Sequence, residues 1–148
     1  MADFKIEGLD EVLRKMRGLS QKLQKKGATA ALRKGARVVV KAARANYATL
    51  GADDPDTKSN IGKAITSRAD SRMGKREGGV AVKVGVAGGA RPKKGTEDEG
   101  HWRFVEFGKE GVPARPFMRP ALENNVAKVT DEIVSQLNVQ IDKIIGAL

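Results

Sequence analysis

The chain has no cysteine and only one histidine, His101. The first absence excludes a disulfide scaffold, a thiolate zinc site and a Cys nucleophile. The second excludes a multi-histidine metal cluster. Aromatic residues are only 4% of the 148, so the core has to be mainly aliphatic. No apolar run approaches the ~20 residues of a membrane-spanning helix. The opening segment, MADFKIEGLDEV, lacks the apolar stretch of a signal peptide. Together these absences favour a soluble, cytosolic product without a membrane partner, and one that is not an enzyme.

What is present suits one domain. Apolar residues make up 40% of the chain, enough for a compact core. No internal repeat and no boundary appears, so residues 1–148 read as a single domain. Lysine and arginine number 28 against 18 acidic residues, a formal charge of +10. The excess is regional: residues 1–50 carry +8, 51–100 carry +2 and 101–148 carry none. Such asymmetry points to a polyanionic partner, either nucleic acid or an acidic protein surface. A solvated helix face is the plain alternative.

Residues 8–26 predict an amphipathic helix. Leu9, Val12, Leu13, Met16, Leu19 and Leu23 recur at spacings of three and four. Asp10 and Glu11 fall in its first turn, where the helix dipole favours anions. A break is expected at Gly27. Residues 28–49 predict a second, Ala-rich helix with a core stripe of Ala28, Leu32, Gly35, Val39, Ala42 and Asn46. On its other side Arg33, Arg37, Lys41 and Arg44 align four cations on one face, the candidate polyanion-facing set. Like charges at that spacing repel.

A polar loop is expected over residues 50–60. Its Asp53, Asp54 and Asp56 lack the Gly and Glu that a calcium loop places after them. Residues 61–70 and 80–87 predict strands, the second with Val80, Val82, Val84 and Val86 on one face. Between them, 71–79 reads as a basic, Gly-rich turn. Residues 88–100 are poor in apolar residues and rich in Gly and charge, and predict a long flexible arm. Residues 101–108, HWRFVEFG, predict a third strand. Three prolines between 113 and 120 make the next segment rigid and extended. A last helix is expected over 120–146, with Leu122, Val126, Val129, Ile133, Leu137, Ile141 and Ile144 as its apolar stripe. The expected fold is therefore α+β: two N-terminal helices, a small, mostly antiparallel sheet and a long C-terminal helix, with a flexible internal arm.

Catalytic patterns are weak. His101 and Glu106 are the candidates for acid–base work, but no nucleophile elbow and no paired carboxylate accompanies them. Glu106, between Val105 and Phe107, is expected to need a compensating arginine. Trp102, Phe104, Phe107 and Phe117 concentrate four of the six aromatics within 16 residues. They are either core or an interface anchor. Arg115 and Arg119 flank Phe117, and arginine and aromatics dominate interface hot spots.

The runs Trp102-Arg103-Phe104-Val105-Glu106-Phe107-Gly108 and Pro113-Ala114-Arg115-Pro116-Phe117-Met118-Arg119-Pro120-Ala121-Leu122-Glu123 resemble the signature of a family of small tail-component, neck or tail-completion proteins of long-tailed bacteriophages. The opening GLDEVLRKM and the segment from Asp56-Thr57 to Ile65 are similar to that family as well. Lys58 stands where the family carries glycine, and Lys109 where it often carries threonine. The resemblance implies a virion structural protein without enzymatic activity or cofactor. It implies a ring, of six subunits, at the head–tail joint or the end of the tail tube, around the DNA channel. Head-closure (connector) and tail-tube proteins are the implied partners, with the virion as location and the host cytoplasm during assembly. In a ring, Trp102, Phe104, Glu106, Phe107, Arg115, Phe117, Met118 and Arg119 are the candidate interface residues. The rigid segment 113–120 would present Phe117 and Met118 as an apolar anchor at low entropic cost. The competing expectation is a small DNA-binding protein that uses Arg33, Arg37, Lys41 and Arg44. An enzyme built on His101 and Glu106 is a third.

Overall fold

The computed structural model describes residues 6–50, 61–87, 102–108 and 110–148. Of the loop expected over 50–60, Leu50 instead ends the second helix and 51–60 lie outside the described residues, as do the arm expected over 88–100 and His101. Helix α1 spans Leu9–Met16, α2 Gln21–Leu50 and α3 Ile61–Ala64. Strand β1 is Ile65–Ala69, followed by helix α4 at Ser71–Arg76 and strand β2 at Val82–Val86. Helices α5 (Trp102–Phe107), α6 (Met118–Glu123) and α7 (Val126–Gly146) complete the order. The fold is α+β, mostly helical, with a two-stranded antiparallel sheet and a long C-terminal helix.

Several boundaries differ from the sequence reading. The first helical break falls after Arg17, not at Gly27. Ser20 Oγ accepts the Leu23 N–H at 3.4 Å, and Gln24 Nε2 donates to the carbonyls of Met16 (2.8 Å) and Leu19 (2.9 Å). These side-chain bonds close the end of α1 and open α2. Gly27 sits inside α2, where a Cβ would come within 3.0 Å of Ile141 Cδ1. Its role is close helix packing rather than termination. The expected strand over 61–70 begins with one turn of helix, α3. The expected turn over 71–79 begins with α4, because the Asp70 carboxylate accepts the Met73 N–H at 3.0 Å as an N-cap. The last helix is divided by a turn at Asn124 and Asn125, which leaves Leu122 and Val126 exposed instead of in the stripe.

The sheet register follows from two backbone bonds, Asp70 N–H to Ala81 O and Ala87 N–H to Ala64 O, both 2.8 Å. Ile65 therefore faces Val86, and Ser67 faces Val84. Ile65 and Val86 are buried, while Arg68 and Lys83 are exposed. The period of two read over 80–87 is realised over Val82–Val86, and Val80 lies outside the strand.

Packing divides the chain into two units. One comprises Met1–Ala36, Ala69–Val82 and Ala127–Leu148; the other comprises Arg37–Arg68 and Lys83–Val126. The first has an aliphatic core of Val12, Leu19, Ala31, Leu137 and Ile141, with Met16, Leu23, Ile133 and Ile144 packed against it. Gly35 of α2 lies so close to α7 that a Cβ would clash with Ile133 Cγ1. In the second unit the buried side chains include Val39, Ala43, Tyr47, Ile61, Ile65, Val86, Phe117 and Ala121. The buried stripe of α2 runs through Gly27, Ala31, Gly35, Val39, Ala43 and Tyr47. This is a strict repeat of four, rotated by one position from the predicted stripe at its two ends.

Candidate functional site

The third strand predicted over 101–108 is instead helix α5. Trp102, Val105 and Glu106 turn inward, while Arg103, Phe104 and Phe107 turn outward. That is helical spacing. A short apolar run satisfies either period, and here the helix wins because Gly108 can close it. Gly108 has φ +74°, and its N–H bonds to Phe104 O at 2.8 Å. A Cβ there would lie 2.8 Å from Ala114 N and 2.9 Å from Val112 O. Only glycine permits the chain to return this closely, and the return is fixed by Arg115 N–H to Val105 O at 2.7 Å.

The returning segment brings the start of α6 onto Glu106. One carboxylate oxygen accepts the N–H groups of Phe117 (2.8 Å) and Met118 (2.9 Å), and the other accepts that of Arg119 (3.0 Å). A helix start leaves four N–H groups without intrahelical partners. At α6 the fourth position is Pro120, which has no N–H, so Glu106 satisfies every such donor. The expected arginine partner of Glu106 is therefore corrected: backbone amides and the helix dipole compensate the charge. Glu106 is 5% exposed, and its two oxygens are taken up by three backbone amides, so the carboxylate faces the interior.

Phe117 is also internal, at 0% exposure. Its ring meets Tyr47 edge-on at 4.9 Å, and its carbonyl accepts from Asn46 Nδ2 at 3.2 Å. Phe117, anticipated as an apolar anchor, is buried in the core of the second unit. Met118 is half-buried, and Arg115 and Arg119 are exposed. Trp102 is half-buried, with Arg103 Cζ 5.7 Å from its ring centroid. Its buried indole N–H has no hydrogen-bond partner. The exposed aromatics are Phe104 (47%) and Phe107 (63%), both on the outer side of α5. In the same unit Val112, Leu122 and Val126 are exposed as well.

The four predicted cations of α2 are all exposed. Arg37, Lys41 and Arg44, with Val40, Thr66 and Ser67, line an open cleft of about 490 Å³ against β1. The Arg44 guanidinium is held to the strand: Nε and Nη2 donate to Ile65 O at 3.1 and 2.7 Å, and Nη2 approaches Lys63 O at 3.5 Å. Arg33 lies further back on the helix, outside the cleft lining. Sequence reasoning did not assign Thr66 and Ser67 to this site, nor Tyr47 to the core. Tyr47 was within reach, because it continues the repeat of four from Ala43. Among the described residues no group of His, Cys, Asp or Glu is arranged to hold a metal, and no helix is long and apolar enough to cross a membrane.

A family of known proteins matches the chain. Its model, described as "Bacteriophage HK97-gp10, putative tail-component", covers residues 10–108. The matched span includes α1, α2, the sheet and α5, and stops before the 113–123 segment. No curated protein and no solved structure matches the chain.

Proposed function

This chain belongs to the HK97-gp10-like family of phage tail components, and on that premise we propose that it is a non-enzymatic subunit of a ring, six copies around, at the head–tail joint. A phage tail component is a structural part of the virion. On the proposed reading the ring forms in the host cytoplasm and links the connector to the tail tube around the DNA channel, with residues 1–148 acting as one functional domain.

The observation that carries the ring reading is the outer side of α5. In a chain with so few aromatics, two phenylalanines stand exposed on one short helix. A closed ring needs two different complementary patches on every subunit. Phe104 and Phe107 supply the apolar anchor of one patch, with Trp102 on the same helix and Arg115, Met118 and Arg119 on the adjoining segment. Glu106 and Phe117 contribute from inside, by fixing α5 and α6 in place. The test is light scattering and electron microscopy of the purified chain, alone and with its tail-tube partner. Rings are expected. A chain that stays monomeric with that partner present would overturn the reading.

A further inference from the structure

Helix α2 carries eight lysines and arginines in 30 residues and no aspartate or glutamate. Among the described residues, no carboxylate forms an ion pair with any of them; the ion pairs present are Lys15 with Glu11 and Asp142, and Arg76 with Glu77. Among the described residues this charge is therefore uncompensated, and it stands where a cleft is already shaped. We propose that the cleft between α2 and β1, lined by Arg37, Lys41, Arg44, Thr66 and Ser67, seats the phosphodiester backbone of duplex DNA.

The lining chemistry selects the ligand. Among the described lining residues, three cations and two hydroxyls are donors, none is a carboxylate, and Val40 is the apolar side chain. A protein partner with acidic side chains needs apolar anchors as well, and the exposed phenylalanines are on α5 instead. Arg37 and Lys41 are one helical turn apart, so they rise about 6 Å along the axis. Repeated cations at that interval suit a polymer of regularly repeated single charges. The Arg44 guanidinium is pinned by Ile65 and Lys63, and Nη1 takes no part in those bonds. Pre-positioning of this kind lowers the entropic cost of gripping a phosphate oxygen. Among the described residues the lining has no Asn or Gln to read base edges and no aromatic to stack on unpaired bases. Binding is therefore to duplex, and independent of sequence.

The inference deepens the ring reading, since a ring around the DNA channel would present such clefts to passing duplex, but its test is separate. Anisotropy of two labelled 20-bp duplexes of unrelated sequence would be followed from 50 to 200 mM salt, with the full chain, with R37A/K41A, and with K41R. Both duplexes are expected to bind the wild-type chain equally. In R37A/K41A the salt slope should fall by about two, which makes the loss of affinity across that salt range about tenfold smaller. K41R should behave as wild type. Unchanged binding and slope in R37A/K41A would overturn the proposal. So would binding of a polyglutamate peptide or of inorganic phosphate through these residues without duplex binding. Ring formation by R37A/K41A, sized in parallel, separates the two ideas: lost duplex binding with intact rings supports the cleft alone, and bound duplex without rings would sink only the assembly reading.

Discussion

Glu106 accepts the Phe117 N–H at 2.8 Å, across 11 residues of chain, and thereby ties α5 to the start of α6. The same carboxylate takes Met118 and Arg119, so one side chain substitutes for the capping residue that Phe117 cannot be. This bond set gives a physical reason for the joint occurrence of the Val-Glu-Phe-Gly and Pro-Phe-Met-Arg-Pro runs.

Substituting Glu106→Gln removes the charge and replaces an acceptor oxygen by a donor that faces N–H groups. Buried amides then lose their partner, at an expected cost of about 2–4 kcal/mol. Thermal unfolding by circular dichroism should show a midpoint lowered by roughly 5–15 °C for a chain of this size. A midpoint equal to wild type would mean that the cap is not what holds α6.

Phe117→Ala should empty the contact with Tyr47 and cost about 3–5 kcal/mol. Chemical denaturation measures it directly. A variant as stable as wild type would return Phe117 to the surface.

Phe107→Ser is the complementary experiment. The side chain is largely exposed, so folding stability should change by no more than about 0.5 kcal/mol. Assembly into rings should nevertheless fail, as read by light scattering. Rings of wild-type size from this variant would remove α5 from the subunit interface.

Gly35→Ala sets two effects against each other. Helix propensity favours alanine by about 1 kcal/mol. The new methyl, however, meets Ile133 Cγ1 on α7, and a β-branched side chain in a helix has little freedom to move away. Overpacking of this kind costs about 1–3 kcal/mol, so a net loss of stability is expected. Increased stability would show that α2 and α7 separate freely.

The elements that were legible in the sequence are those with a long, single period. Val82, Val84 and Val86 alternate without interruption, and the α7 stripe from Val129 to Ile144 repeats over four turns. The four outward cations of α2 were readable for the same reason. Short segments were not. Trp102–Phe107 fits a strand or a helix until Gly108 is recognised as a helix terminator rather than a strand end. The break after α1 depends on Ser20 and Gln24 bonding to backbone, which hydrophobic spacing does not register. The partner of Glu106 was least accessible, because it is a row of main-chain amides that exists only after the chain has turned back at Gly108. The cleft shared this difficulty: Thr66 and Ser67 are unremarkable in a strand until α2 lies beside them.

Trp102 is the single tryptophan of the chain, and it lies on α5 with its indole N–H shielded and without a hydrogen-bond partner. Its emission on excitation at long ultraviolet wavelengths comes from one place, the short helix that carries Phe104 and Phe107. The molecule thus carries an intrinsic optical reporter on the helix proposed to meet its neighbour, and docking there can be timed in a stopped-flow cell without attaching a dye.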